Sequence, residues 1–73
     1  MVRKTYHVVP SGIYWQVKHL GNVLSTHGLK TLAIEHGRLI AKANGPSQLV
    51  IHKADGSIET EYTYGNDPYP PRG

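Results

Sequence analysis

The chain alternates, changes period, then alternates again. Thr5-Tyr6-His7-Val8-Val9 is rich in β-branched and aromatic residues and runs into Pro10. Such side chains suit a pleated, half-buried surface, so the segment reads as a first strand that stops at Pro10. Pro10-Ser11-Gly12 is a turn cluster. From Ile13 to Leu20, Trp15, Val17 and His19 share one parity, and Tyr14, Gln16 and Lys18 share the other. Residues two apart lie on one face of a strand, so this second strand has one wet face. Gly21-Asn22 fits a two-residue hairpin turn, because both residues tolerate the positive φ such turns require. Val23 to Thr26 is then a short third strand.

The period next becomes helical. Leu29, Ala33, Gly37 and Ile40 recur at i, i+4, i+8 and i+11, with Leu32, His36, Leu39 and Ala43 beside them. That spacing predicts an amphipathic helix of about four turns, with Lys30, Glu35, Arg38 and Lys42 mostly on its outer side. No capping residue stands directly before Leu29 with a Glu three places on, so the start is weakly marked. Asn44-Gly45-Pro46 is a strong stop, with Gly expected in a left-handed C-cap and Pro unable to continue. Gly37 costs about 1 kcal/mol against Ala inside a helix, which predicts a close approach of helix to sheet. Gln48 to His52 is a compact strand around Leu49-Val50-Ile51. Asp55-Gly56 between two β-prone runs is the clearest hairpin signal. Ser57 to Thr63 returns as the last strand, with Ile58, Thr60 and Tyr62 on one face.

The order β-β-β-α-β-β predicts an α+β fold, a two-layer sandwich in which one helix packs on one face of an antiparallel sheet. Residues 1–64 form this single domain. Residues 65–73 form a Pro-rich tail that cannot be helix or central strand and is expected to pack on the domain. One helix covers only part of a five-stranded sheet. The other face must be polar, be sealed by the tail, or receive a partner.

Four segments carry a family resemblance: Tyr6-His7-Val8-Val9-Pro10, Trp15-Gln16-Val17-Lys18, Leu49-Val50-Ile51-His52 with Asp55-Gly56 and Ile58, and the closing Tyr64-Gly65-Asn66-Asp67-Pro68-Tyr69-Pro70-Pro71-Arg72-Gly73. Together they resemble the small bacterial and phage proteins grouped as domain of unknown function 2188. The family usually opens its helix with Thr or Asp-Thr and carries Glu-Ala in the first turn. Gly28-Leu29 and Leu32-Ala33 stand at those places here. The resemblance implies no established activity and assigns no functional residue.

Composition narrows the function classes. A chain of 73 residues makes one domain at most and buries only about 60% of the surface its unfolded form exposes. There is no cysteine, hence no disulfide and no thiolate ligand or nucleophile. No run approaches a membrane helix, and the first ten residues lack the apolar stretch of a signal peptide, so a cytoplasmic protein is expected. The net +3 is uneven. Residues 1–53 hold seven Lys or Arg against one acid, a net of +6, while residues 54–73 hold one Arg against four acids, a net of −3.

The five histidines, His7, His19, His27, His36 and His52, show no ligand spacing, so no metal site and no cofactor are expected. The serines lie in or near turns without a nucleophile elbow, and Gly45-Pro46-Ser47 follows a helix where a phosphate loop precedes one. These absences point away from an enzyme and toward a binding module acting through protein interaction or self-association. Tyr64, Pro68, Tyr69, Pro70 and Pro71 are the candidates there, either docking as polyproline II or packing back to seal the open face. An unpaired sheet edge offers a second route, to a homodimer. The alternative is DNA binding by the sheet, a ribbon of strands in the major groove. Its candidates are Tyr14, Gln16 and Lys18 on the wet face, with Arg3 and Lys4 meeting phosphate.

Overall fold

The computed structural model describes residues 4–65. Six elements follow the expected order: β1 (Lys4–Ser11), β2 (Tyr14–His19), β3 (Asn22–His27), α1 (Lys30–Ala43), β4 (Ser47–His52) and β5 (Ile58–Tyr64). The strands form one sheet in the order β3-β2-β1-β4-β5, and α1 packs on one side of it. The fold is α+β, as expected. Three of the four strand pairs are antiparallel, but the central pair, β1 with β4, is parallel. The reason is a count of reversals. α1 carries the chain back along the sheet once, so β4 starts at the end where β1 starts.

The strand ends differ from the local reading in three places. β1 does not stop at Pro10, which pairs with Trp15. The ladder to β4 ends at Val8 opposite Ile51, so beyond it β1 has a neighbour on one side only. A proline without an N–H is tolerated in such an edge-like stretch. The β2–β3 turn is Leu20-Gly21, one residue earlier than Gly21-Asn22, because His19 pairs with Asn22. Leu20 has φ 53° and Gly21 φ 81°, the pair of positive values a type I′ turn demands. The β4–β5 loop has five residues, 53–57, and the Lys53 N–H donating to Ser57 O at 2.7 Å closes it around Ala54-Asp55-Gly56. Gly56 N–H donates to Lys53 O at 2.9 Å, Gly56 has φ 93°, and the Asp55 carboxylate accepts from both the N–H and the hydroxyl of Ser57. This is a turn closed by a left-handed glycine.

α1 opens without a side-chain cap, as its sequence implies. Its end differs from the expectation. Gly45 is not left-handed; instead Asn44 closes the helix, its side-chain Nδ2 donating to Ile40 O at 2.8 Å, and a cis Gly45–Pro46 bond leads into β4. The buried Ser47 hydroxyl donates to Ala41 O at 2.5 Å and ties the helix end to the first residue of β4.

Ala33, Gly37 and Ala41 recur every four residues and form the buried stripe of α1. They sit over Tyr6, Val8, Val17, Leu49 and Ile51, with Trp15, Ile34, Ile40 and Tyr64 around the rim. A Cβ built on Gly37 comes within 3.0 Å of Leu49 Cδ1 and 3.3 Å of Val8 Cγ2. The close approach expected from this glycine is therefore present. Among the described residues, no helix is long and apolar enough to cross a membrane.

Leu20 is 83% exposed, so it buries almost nothing while holding a left-handed backbone that branched or bulky residues resist. Leu20→Asn should stabilise the domain by about 0.5–1 kcal/mol, since Asn-Gly is the favoured type I′ pair. A melting temperature that stays level or falls in Leu20→Asn counts against this turn assignment.

Candidate functional site

α1 packs on one face of the sheet, and no other described element lies across the opposite face. Residues directly opposite on paired strands share a face. Lys18 stands opposite His7, His7 opposite Val50, and Val50 opposite Glu61. These four form one continuous row across β2, β1, β4 and β5. A parallel row holds Thr5, Gln48 and Thr63. Val9 stands opposite Gln16 in a third. Val50, at the middle of the first row, is only 5% exposed. Gln48 Nε2 donates to Glu61 Oε1 at 2.7 Å and holds that carboxylate over the face.

A pair of imidazoles occupies the centre. His7 Nδ1 and His52 Nε2 are 3.0 Å apart, and His52 Nδ1 lies 2.9 Å from Gly56 O. A carbonyl only accepts, so His52 Nδ1–H donates to it and leaves Nε2 as a lone pair. His7 Nδ1–H then donates to that lone pair. The ring centroids are 5.3 Å apart, which matches two rings meeting head-on through one N–H···N bond. Burial, then the neighbouring charge of His52, then that of His19, hold the His7 imidazole below its ordinary 6.5.

The other histidines serve elsewhere. His19 Nδ1–H donates to Thr5 O at 2.9 Å, and its ring stacks on Tyr6. His27 lies 2.9 Å from the Ser25 hydroxyl and 5.2 Å, between ring centroids, from His36 of α1. Among the described residues, no group of three or more His, Asp or Glu is placed to hold a metal.

The predicted contact residues separate. Tyr14, Gln16 and Lys18 do lie together on the uncovered face. Lys4 shares the parity of Tyr6 and Val8, on the helix side, so it does not join them. Arg3, Pro68, Tyr69, Pro70 and Pro71 lie outside the described residues. Tyr64 packs back on the domain, but against the covered side: it stands opposite Ser47, meets the core, and accepts a hydrogen bond from Arg38 Nε at 3.1 Å. It does not seal the open face. Glu59 and Glu61 of β5 also part company. Glu59 bonds Lys30 of α1, and Glu61 bonds Gln48.

The two sheet edges differ in kind. β5 carries Glu59 and Glu61, charges that discourage strand pairing. β3 carries no charge and exposes Val23 and Leu24.

The family model of the uncharacterised proteins conserved in bacteria, domain of unknown function 2188, matches residues 6–64. The chain belongs to that family. The match ends where the Pro-rich tail begins. No curated protein and no solved structure matches the chain.

The His7 pair sets a pH dependence. A lowered imidazole value means that the unfolded chain binds the proton more readily than the folded one. The stabilisation is then complete above 6.5 and lost as pH falls through 6.5 toward the lowered value. The melting temperature should fall between about pH 7.5 and about pH 5, and His7→Gln should flatten that slope. An unchanged slope in the variant rules His7 out as the source.

Proposed function

We propose that this protein is a non-enzymatic, cytoplasmic binding module that engages another protein chain through its uncovered sheet face. The observation that carries the reading is the charge balance of that face. Its described residues include one cation, Lys18, and one anion, Glu61, around a neutral centre of His7, Val9, Val50 and His52. Interface centres are depleted in charge and tolerate neutral polar groups. A chain this small also gains stability from surface buried by a partner.

Site-specific photo-crosslinking in bacterial cells tests it. A photo-reactive residue replacing Gln16 should yield protein adducts, and one replacing Glu35 on the outer side of α1 should not. Equal labelling from both positions, or none from Gln16, counts against the reading.

DNA binding is the second reading, favoured by the grouping of Tyr14, Gln16 and Lys18 on one strand face. The one cation among the described residues of this face supplies little of the phosphate neutralisation that dominates such affinity. Anisotropy with labelled duplex and single strand at low salt should therefore show weak binding that Lys18→Ala leaves unchanged. Tight, salt-steep binding weakened by Lys18→Ala replaces the protein reading with the nucleic-acid one.

A further inference from the structure

Lys18 and Glu61 bound the part of one row that crosses β2, β1, β4 and β5; beyond Lys18 the row runs on to Val23 of β3. They are three strand spacings apart, about 14 Å, too far to pair within one chain. Each is already poised at the face, and Glu61 is held there by Gln48. Between them lie only His7 and Val50, on the two central strands. The row thus reads positive, neutral, neutral, negative.

A two-fold axis parallel to the strands, midway between β1 and β4, reverses this row on itself. It sets β2 over the partner's β5 and β1 over the partner's β4. Because all four residues share one level along the strands, Lys18 comes over the partner's Glu61, and His7 over the partner's Val50. Every interface of this symmetry must tolerate its own copy, and it makes each contact twice. This row does so with opposite charges matched at both ends.

Resting on the protein-binding reading above, we infer that the occupant of the uncovered face is a second copy of this chain. The two sheets stack face to face and the two α1 helices lie outside, giving four layers. Aligned sheets pack about 10 Å apart, a gap that the long side chains of Lys18 and Glu61 span together. The Lys18–Glu61 pairs set the register of the two copies, and the neutral centre supplies the contact. A face of this polarity makes a weak, reversible dimer.

The alternative self-association, pairing of the uncharged β3 edges, predicts different sensitivities. It leaves Lys18 and Glu61 of the two copies remote from each other. The two modes are therefore separable by charge reversal.

Sedimentation of the full chain across about 5 to about 500 µM measures the dimer by mass action. The wild type should pass from monomer to dimer over that range. Lys18→Glu and Glu61→Lys should each weaken dimerisation by about tenfold or more, because like charges then face each other. The double variant Lys18→Glu/Glu61→Lys should restore it to within about threefold of wild type. Circular dichroism of each variant establishes that it is folded, which the half-buried Lys18 and the exposed Glu61 permit. A monomer at every concentration overturns the inference. So does a dimer indifferent to Lys18→Glu, or a double variant as weak as the singles. Gln16 adducts to a different protein, with a monomeric wild type, overturn the second copy and leave the protein-binding reading standing. Absence of both removes the two together.

Discussion

The molecule depends on one close approach, that of the α1 backbone to the sheet at Gly37. Leu49 and Val8 lie so near that even a methyl group meets Leu49 at 3.0 Å. Ala33 and Ala41 extend the same narrow stripe one turn each way. Small residues let the helix settle deep into the large side chains of the sheet, and dispersion contacts accumulate at short range. The helix forgoes about 1 kcal/mol of intrinsic propensity at Gly37. In return the seven-residue core closes with no side chain larger than Leu, Ile or Tyr.

That depth also limits breadth. A helix seated on a stripe of Ala and Gly covers a narrow swath of sheet, and it covers one side. The opposite side is then obliged to be stable in contact with water. It achieves this with polar side chains such as Thr5, Gln16, Gln48 and Thr63 and with the His7–His52 bond. The charged flank of α1 is spent toward β5, where Lys30 meets Glu59 and Arg38 meets Tyr62 and Tyr64. Among the described residues the cations of the first 53 positions are divided: Lys18 stands on the uncovered face, Lys4 on the covered side of β1, Lys30, Arg38 and Lys42 on α1, and Lys53 in the β4–β5 loop.

Most elements were legible because each is a local pattern. Period two marks β2, period four marks α1, and Asp55-Gly56 marks the last hairpin. What escaped was set by pairing. The Leu20-Gly21 turn follows from His19 standing opposite Asn22, and a leucine in a left-handed position carries no local signal. The parallel β1–β4 contact follows from the path of the helix, which no strand pattern encodes. The His7–His52 bond joins residues 45 positions apart. The placement of Lys4 was different. Its parity with Tyr6 and Val8 already put it on the covered side, and only proximity to Arg3 suggested otherwise. Tyr64 packs against the core on the covered side of the sheet.

The β1–β4 seam has a consequence for how the chain reaches this state. Everything on one side of it, β1 to β3, is a meander joined by two tight turns. Everything on the other side is a single hairpin. Each half can assemble from neighbours in sequence, whereas the seam joins residues about forty positions apart. Its closure entropy is recovered only when α1 is already laid across both halves. The seam is thus the pairing whose closure costs the most chain entropy in this sheet. Substitutions in the seam, at Val8, Leu49 or Ile51, should slow folding, whereas those in the outer turns should chiefly speed unfolding.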